Sequence, residues 1–150
     1  MIGILRLRNS ILVTQMESLY YLMREYLKKS AIKAQDVGNG RLFFSVNGLN
    51  FIYDANESDP HFYRMALPQI NRQNVVIQNL EQQIHQLNQN YKVTKIVRNN
   101  DGTLWILADA FVYSTENIEQ LFVRHIQALM DMINEYRNLE NTGNGTIQAQ

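Results

Sequence analysis

Apolar residues recur at Leu19, Leu22, Met23, Tyr26 and Leu27, a spacing that puts them on one stripe of a helix. Thr14-Gln15-Met16-Glu17 reads as a capping box that opens this helix, and Lys28 and Lys29 fall in its last turn, where the dipole favours positive charge. The period then changes. Residues 33–36 are read as a short strand, followed by a turn at Gly38-Asn39-Gly40. Residues 41–46 and 49–53 read as two strands joined through Asn47-Gly48, a pair that tolerates positive φ at both hairpin positions. After a polar loop at 54–60, residues 62–67 make a further strand stopped by Pro68.

A second helix is expected over 74–90, with Val76, Leu80, Ile84, Leu87 and Tyr91 on one face. Residues 93–98 and 103–113 form a second hairpin turning at Asn99-Asn100-Asp101-Gly102. The last helix starts near 115–117 and carries Ile118, Leu121, Phe122, Ile126, Leu129, Met130 and Ile133. Tight hairpins imply antiparallel pairing, and segregated elements imply an α+β fold in the order α-β-β-β(β)-α-β-β-α, with three helices covering one face of the sheet. The expected division is an extension at 1–13, one α+β domain at 14–139 and a disordered tail at 140–150.

Composition narrows the function. With 14 basic and 14 acidic residues the formal charge is zero, which argues against a nucleic-acid binder and against a polybasic membrane-surface protein. The absence of cysteine excludes disulfides, thiolate zinc sites and thiol nucleophiles together. Arg6 and Arg8 interrupt the apolar start, and no run approaches a membrane span, so a cytoplasmic location is expected.

Catalytic and metal motifs are weak. His61, His85 and His125 are spread over a loop and two helices, and the Glu81/His85 pair is equally at home on a solvated helix face. The stretch 54–59 opens like a calcium loop but carries Asp59 where glycine is needed and Met65 where the bidentate glutamate belongs. There is no phosphate-cradling glycine loop and no serine elbow flanked by glycines. Neither a metal nor a cofactor is expected, and an enzyme is the least favoured reading.

Aromatics carry more information. Phe43, Phe44, Phe51, Tyr53, Phe62, Tyr63, Trp105, Phe111 and Tyr113 all fall on or beside strands. Side chains alternate across a sheet, so some of them must lie on the face away from the helices, either as cross-strand pairs or as a binding surface.

The order of elements and several local phrases resemble the YbjN-like family of bacterial proteins. These are the stretch 17–29, then Gly40-Arg41-Leu42-Phe43-Phe44-Ser45-Val46-Asn47-Gly48-Leu49-Asn50-Phe51, then Phe62-Tyr63-Arg64-Met65-Ala66-Leu67-Pro68, Asn88-Gln89-Asn90-Tyr91-Lys92-Val93-Thr94-Lys95, and Asp101-Gly102-Thr103-Leu104-Trp105. The resemblance covers 14–139 and lies in turns, strand edges and helix faces. The extension before Thr14 and the Asn/Gln-rich second helix depart from it. It implies the fold of type III secretion chaperones, which are homodimers that bind extended segments of client proteins. Members of the YbjN-like family are described as regulators of sensory transduction.

The expected function is a non-enzymatic protein-interaction module, chaperone-like or regulatory, that binds a segment of a partner protein on its sheet face or edge. The expected partner is another protein, with a second copy of the chain as a further candidate. Tyr63, Arg64 and Trp105 are the expected contact residues. The alternative is a regulatory domain that senses a small molecule in a pocket between helices and sheet.

Overall fold

Asn47 (φ 51°) and Gly48 (φ 76°) both take left-handed backbone, as a two-residue hairpin turn requires. This turn fixes a register running from Val46 opposite Leu49 to Arg41 opposite Asp54. The computed structural model describes residues 18–56, 58–142 and 145–147. Its elements are α1 (Leu19–Lys29), β1 (Ala34–Gly38), β2 (Arg41–Val46), β3 (Leu49–Asp54), β4 (Phe62–Leu67), β5 (Val75–Ile77), α2 (Leu80–Asn90), β6 (Thr94–Arg98), β7 (Leu104–Phe111), α3 (Ile118–Asn141) and β8 (Gly145–Ile147). Six strands form one antiparallel sheet in the order β1-β2-β3-β4-β7-β6, and β5 pairs with β8 in a second, two-stranded sheet. For the three helices and the six-stranded sheet this is the α+β arrangement, and the order of elements, that the sequence predicts.

Local chemistry explains the joints. At Gly40 a Cβ would lie 2.5 Å from the carbonyl oxygen of Ala55, so only glycine lets the two backbones meet. The Ala55 N–H donates to the Gly40 carbonyl there at 2.9 Å, closing the open end of the β2–β3 hairpin. The capping box read at Thr14 and Glu17, like the extension at 1–13, lies outside the described residues. Within them α1 is capped by Ser18, whose hydroxyl accepts from the Tyr21 N–H at 3.1 Å.

The expected second helix is shorter than its periodicity suggests. Asn74 and Asn79 both take positive φ, and between them 75–77 extend as β5 while the helix starts only at Leu80. Asparagine tolerates left-handed backbone and so interrupts a helix despite apolar spacing. Of the expected tail at 140–150, helix α3 continues through Asn141 and Gly145–Ile147 pairs with β5, while 143, 144 and 148–150 lie outside the described residues.

The three helices share one core with the inward positions of the sheet. Met23 and Leu27 of α1, Ile84 of α2 and Phe122, Leu129 and Ile133 of α3 meet Leu42, Phe44, Phe51, Tyr53, Met65 and Ile106. Tyr53, Tyr63 and Phe122 meet at its centre with ring centroids 5.1 to 5.7 Å apart, the two tyrosines tilted and Phe122 edge-on to both. Tyr53 also donates its hydroxyl to the Leu19 carbonyl at 2.7 Å, tying β3 to the first turn of α1. Each fully buried side chain of this size contributes roughly 1.5–3 kcal/mol relative to exposure. No helix among the described residues is long and apolar enough to cross a membrane.

Candidate functional site

With the helices on one side, strand alternation decides what the other side of the sheet carries. On β2 the buried residues are Leu42 and Phe44, so Arg41, Phe43 and Ser45 point away from the helices. The register then continues outward positions across the sheet in rows. One row runs Gln35, Phe43, Ile52, Ala66, Leu107 and Lys95, apolar through its four central strands. The adjacent row runs Arg41, Asp54, Arg64 and Asp109, four charges of alternating sign on β2, β3, β4 and β7.

The charges neutralise one another in pairs. Arg64 holds Asp109 with both arms of its fork, Nε to Oδ1 at 2.7 Å and Nη2 to Oδ2 at 2.8 Å, and this hydrogen bonding raises the Arg64 pKa. Arg41 Nε reaches Asp54 Oδ2 at 3.2 Å. Both pairs are substantially exposed, so each is worth only about 0–1 kcal/mol of stability. They leave the face without net charge in this row.

The apolar row is contoured. Ala66 is the smallest side chain in it, and a hollow of about 460 Å³ opens there, walled by Phe43, Ile52, Arg64 and Trp105. A second hollow of about 630 Å³ adjoins it through Phe43 and Ile52 and extends past Gln35 and Asn50. Phe43 is 42% exposed and Phe111, at the far end of β7, 67%. Trp105 is half-buried on this face opposite Val97, and its indole N–H is enclosed without a hydrogen-bond acceptor among the described residues.

Of the three expected contact residues, Arg64 and Trp105 lie on this face and flank the same hollow. Tyr63 does not, and that expectation is corrected. Its side chain is fully buried on the helix side, where its hydroxyl is hydrogen-bonded to Nδ1 of His125. Consecutive strand residues point to opposite faces, so Tyr63 and Arg64 cannot share a surface. Ile52 and Leu107 are face residues that the sequence does not single out, and Phe43 is one of the strand aromatics whose face it leaves open. Arg41 and Ser45 carry the signal that finds Phe43: polar residues two positions away on either side mark its parity as outward. Asp109 marks Leu107 and Trp105 in the same way.

The histidines and the acidic loop take structural positions. His61 Nδ1 lies 3.1 Å from the Val112 carbonyl and its ring stacks on Tyr113, His85 is exposed, and burial lowers the pKa of His125. In the loop that opens like a calcium site, Asn56 accepts from the Ser58 N–H and Asp59 from the His61 N–H, so these oxygens cap the loop's own backbone. Among the described residues no group of three or more His, Cys, Asp or Glu is placed to hold a metal ion. What the face presents is an apolar strip, a contoured hollow and a charge-paired margin. Compared with family models and with curated proteins, the chain matches none.

Proposed function

We propose that this chain is a non-enzymatic protein-interaction module, chaperone-like or regulatory, that binds a partner protein on the open face of its six-stranded sheet. The observation that carries the reading is the apolar row Phe43, Ile52 and Leu107 with Trp105 beside it, lying opposite the helix-covered face around a hollow whose floor is the buried Ala66. Contiguous apolar surface of this kind is uncommon on proteins that work alone, and an aromatic anchor beside a hollow is what a partner's side chain would enter. Pairing of Arg41 with Asp54 and of Arg64 with Asp109 suits a neutral protein surface better than a phosphate backbone. Membership of the YbjN-like family, with a secretion-chaperone-like fold and a cytoplasmic location in a bacterium, belongs to the same proposal. It is supported by the antiparallel α+β order. Between helices and sheet, the rings of Tyr53, Tyr63 and Phe122 occupy the space that a small-molecule sensor would need for its ligand.

The test compares wild type with Phe43→Glu and with Trp105→Ala as baits in lysate of the native host, each first shown to keep the wild-type far-UV spectrum. Loss of at least about tenfold in captured partner for both variants is expected, as for central anchors of an interface. Undiminished capture by both folded variants would sink the open face as the binding surface.

A further inference from the structure

The row of charges across the open face reads plus, minus, plus, minus from β2 to β7: Arg41, Asp54, Arg64, Asp109. A sequence of this kind is its own complement when reversed. Turn a second copy over about a two-fold axis that runs along the strands between β3 and β4. Arg41 then faces Asp109 of the second copy, and Asp54 faces its Arg64. All four positions meet opposite charge. The neighbouring row obeys the same operation, because Phe43 falls opposite Leu107 and Ile52 opposite Ala66. The larger side chain of one copy thus meets the smallest of the other, and Ile52 faces the hollow that opens at Ala66. An axis across the strands fails, since it sets Arg41 on Arg41 or lays the charged row on the apolar one. We infer that the occupant of the open face is a second copy of this chain, docked face to face about that two-fold axis.

This inference rests on the reading of the open face as a protein-binding surface and names its partner. Two sheets packed face to face cross at about 30°, which displaces the outer partners, roughly 7 Å from the axis, by about 4 Å. An arginine spans that. The area sets the strength. Six strands at about 4.8 Å and five or six residues at about 3.3 Å cover roughly 500 Å² per copy before side-chain relief. Two copies together stand near the lower margin of specific interfaces, so the dimer dissociates on dilution.

Sedimentation of the full chain from about 1 to about 500 micromolar brackets such an equilibrium. Wild type should move from the 17.5 kDa monomer to twice that mass. Acrylamide quenching of Trp105, the sole tryptophan, should fall along the same curve. The decisive variants are Arg41→Asp and Asp109→Arg. Each alone puts like charge on like charge at two symmetry-related positions and should weaken association at least about tenfold. Mixed one to one, they restore opposite charges at every position, and the heterodimer should form to within about threefold of wild type. Each variant also turns one exposed pair into a like-charge contact within its own sheet, against Asp54 or against Arg64, so far-UV spectra and melting first establish that each monomer keeps its fold at the assay temperature. The inference is overturned if wild type stays monomeric throughout, if both variants dimerise like wild type, or if the mixture fails to recover. When wild type is monomeric yet Phe43→Glu still abolishes partner capture, the face remains a binding surface and only the second copy is rejected. When Phe43→Glu changes nothing either, both readings fall.

Discussion

His125 sits on the inner side of α3, its Nδ1 hydrogen-bonded to the Tyr63 hydroxyl and its ring centre 5.4 Å from the tyrosine's. With the ring neutral and Nδ1 unprotonated, the hydroxyl donates. Burial lowers the His125 pKa below its ordinary 6.5, and the charge of Asp109 opposes that only in part. The sign of the linkage follows. Above pH 6.5 the ring is neutral in folded and unfolded chains alike. As pH falls below 6.5 the unfolded chain takes up the proton first, so stability is lost from there down through the folded pKa. We expect the melting temperature to drop between pH 7 and 5.5 more steeply for wild type than for His125→Gln, which keeps an acceptor for Tyr63 and does not titrate. Parallel profiles for the two proteins would remove His125 from the account. The same tyrosine shows what parity means at this scale: Tyr63 supports the core while Arg64, one residue on, belongs to the outer face.

Helix α3 owes its last turn to a buried carboxylate. Glu140 is 4% exposed and accepts from Arg137 Nη1 at 2.5 Å and from the Arg72 backbone N–H at 3.4 Å, while Arg137 also donates to the Ile70 carbonyl. The end of the helix is thereby clamped to the segment that leaves β4. Glu140→Ala should cost about 2 kcal/mol, below the 3–5 of a fully buried pair, because water reaches both arginines. Chemical denaturation measures this, and a change under about 0.5 kcal/mol would show that the clamp carries no stability. The clamp also marks where sequence reading stopped. A tail of polar residues hides one buried carboxylate: its pairing with Arg137 has helical i,i+3 spacing, but its links to Arg72 and, through Arg137, to Ile70 leave no record in spacing along the chain. Likewise, Val76 fits a helical stripe with Leu80 and Ile84, yet Asn74 and Asn79 turn left-handed and 75–77 extend as a strand. The hairpins and the stripes of α1 and α3 were legible because each rests on local rules, turn chemistry and one period. On the site, Arg64 and Trp105 were legible, while Phe43 stood beside Phe44 with nothing in its own side chain to say which faced out. Only the parity of Arg41 and Ser45 separates them.

At the scale of the whole molecule, the sheet is not laid down in chain order. Strands β1 to β4 follow one another, but β7 inserts beside β4 and leaves β6 at the edge. The β2–β3 pairing closes through two residues, whereas the β4–β7 seam joins Arg64 to Asp109, 45 positions apart. Local pairings need little loop-closure entropy and the seam needs much, so the hairpins should form first and the seam late. Conservative substitutions in β2–β3 are then expected to slow folding, and those along Met65 and Ala108 to speed unfolding, in stopped-flow measurements. Seam variants that slow folding as much as hairpin variants would reverse this order. Until the seam closes, Phe62–Leu67 and Leu104–Phe111 are two unpaired, strongly apolar strand edges, each a template for another molecule's strand. The chain's hazard during synthesis or refolding is therefore at the centre of its finished sheet, and crowding should trap it there by intermolecular strand exchange.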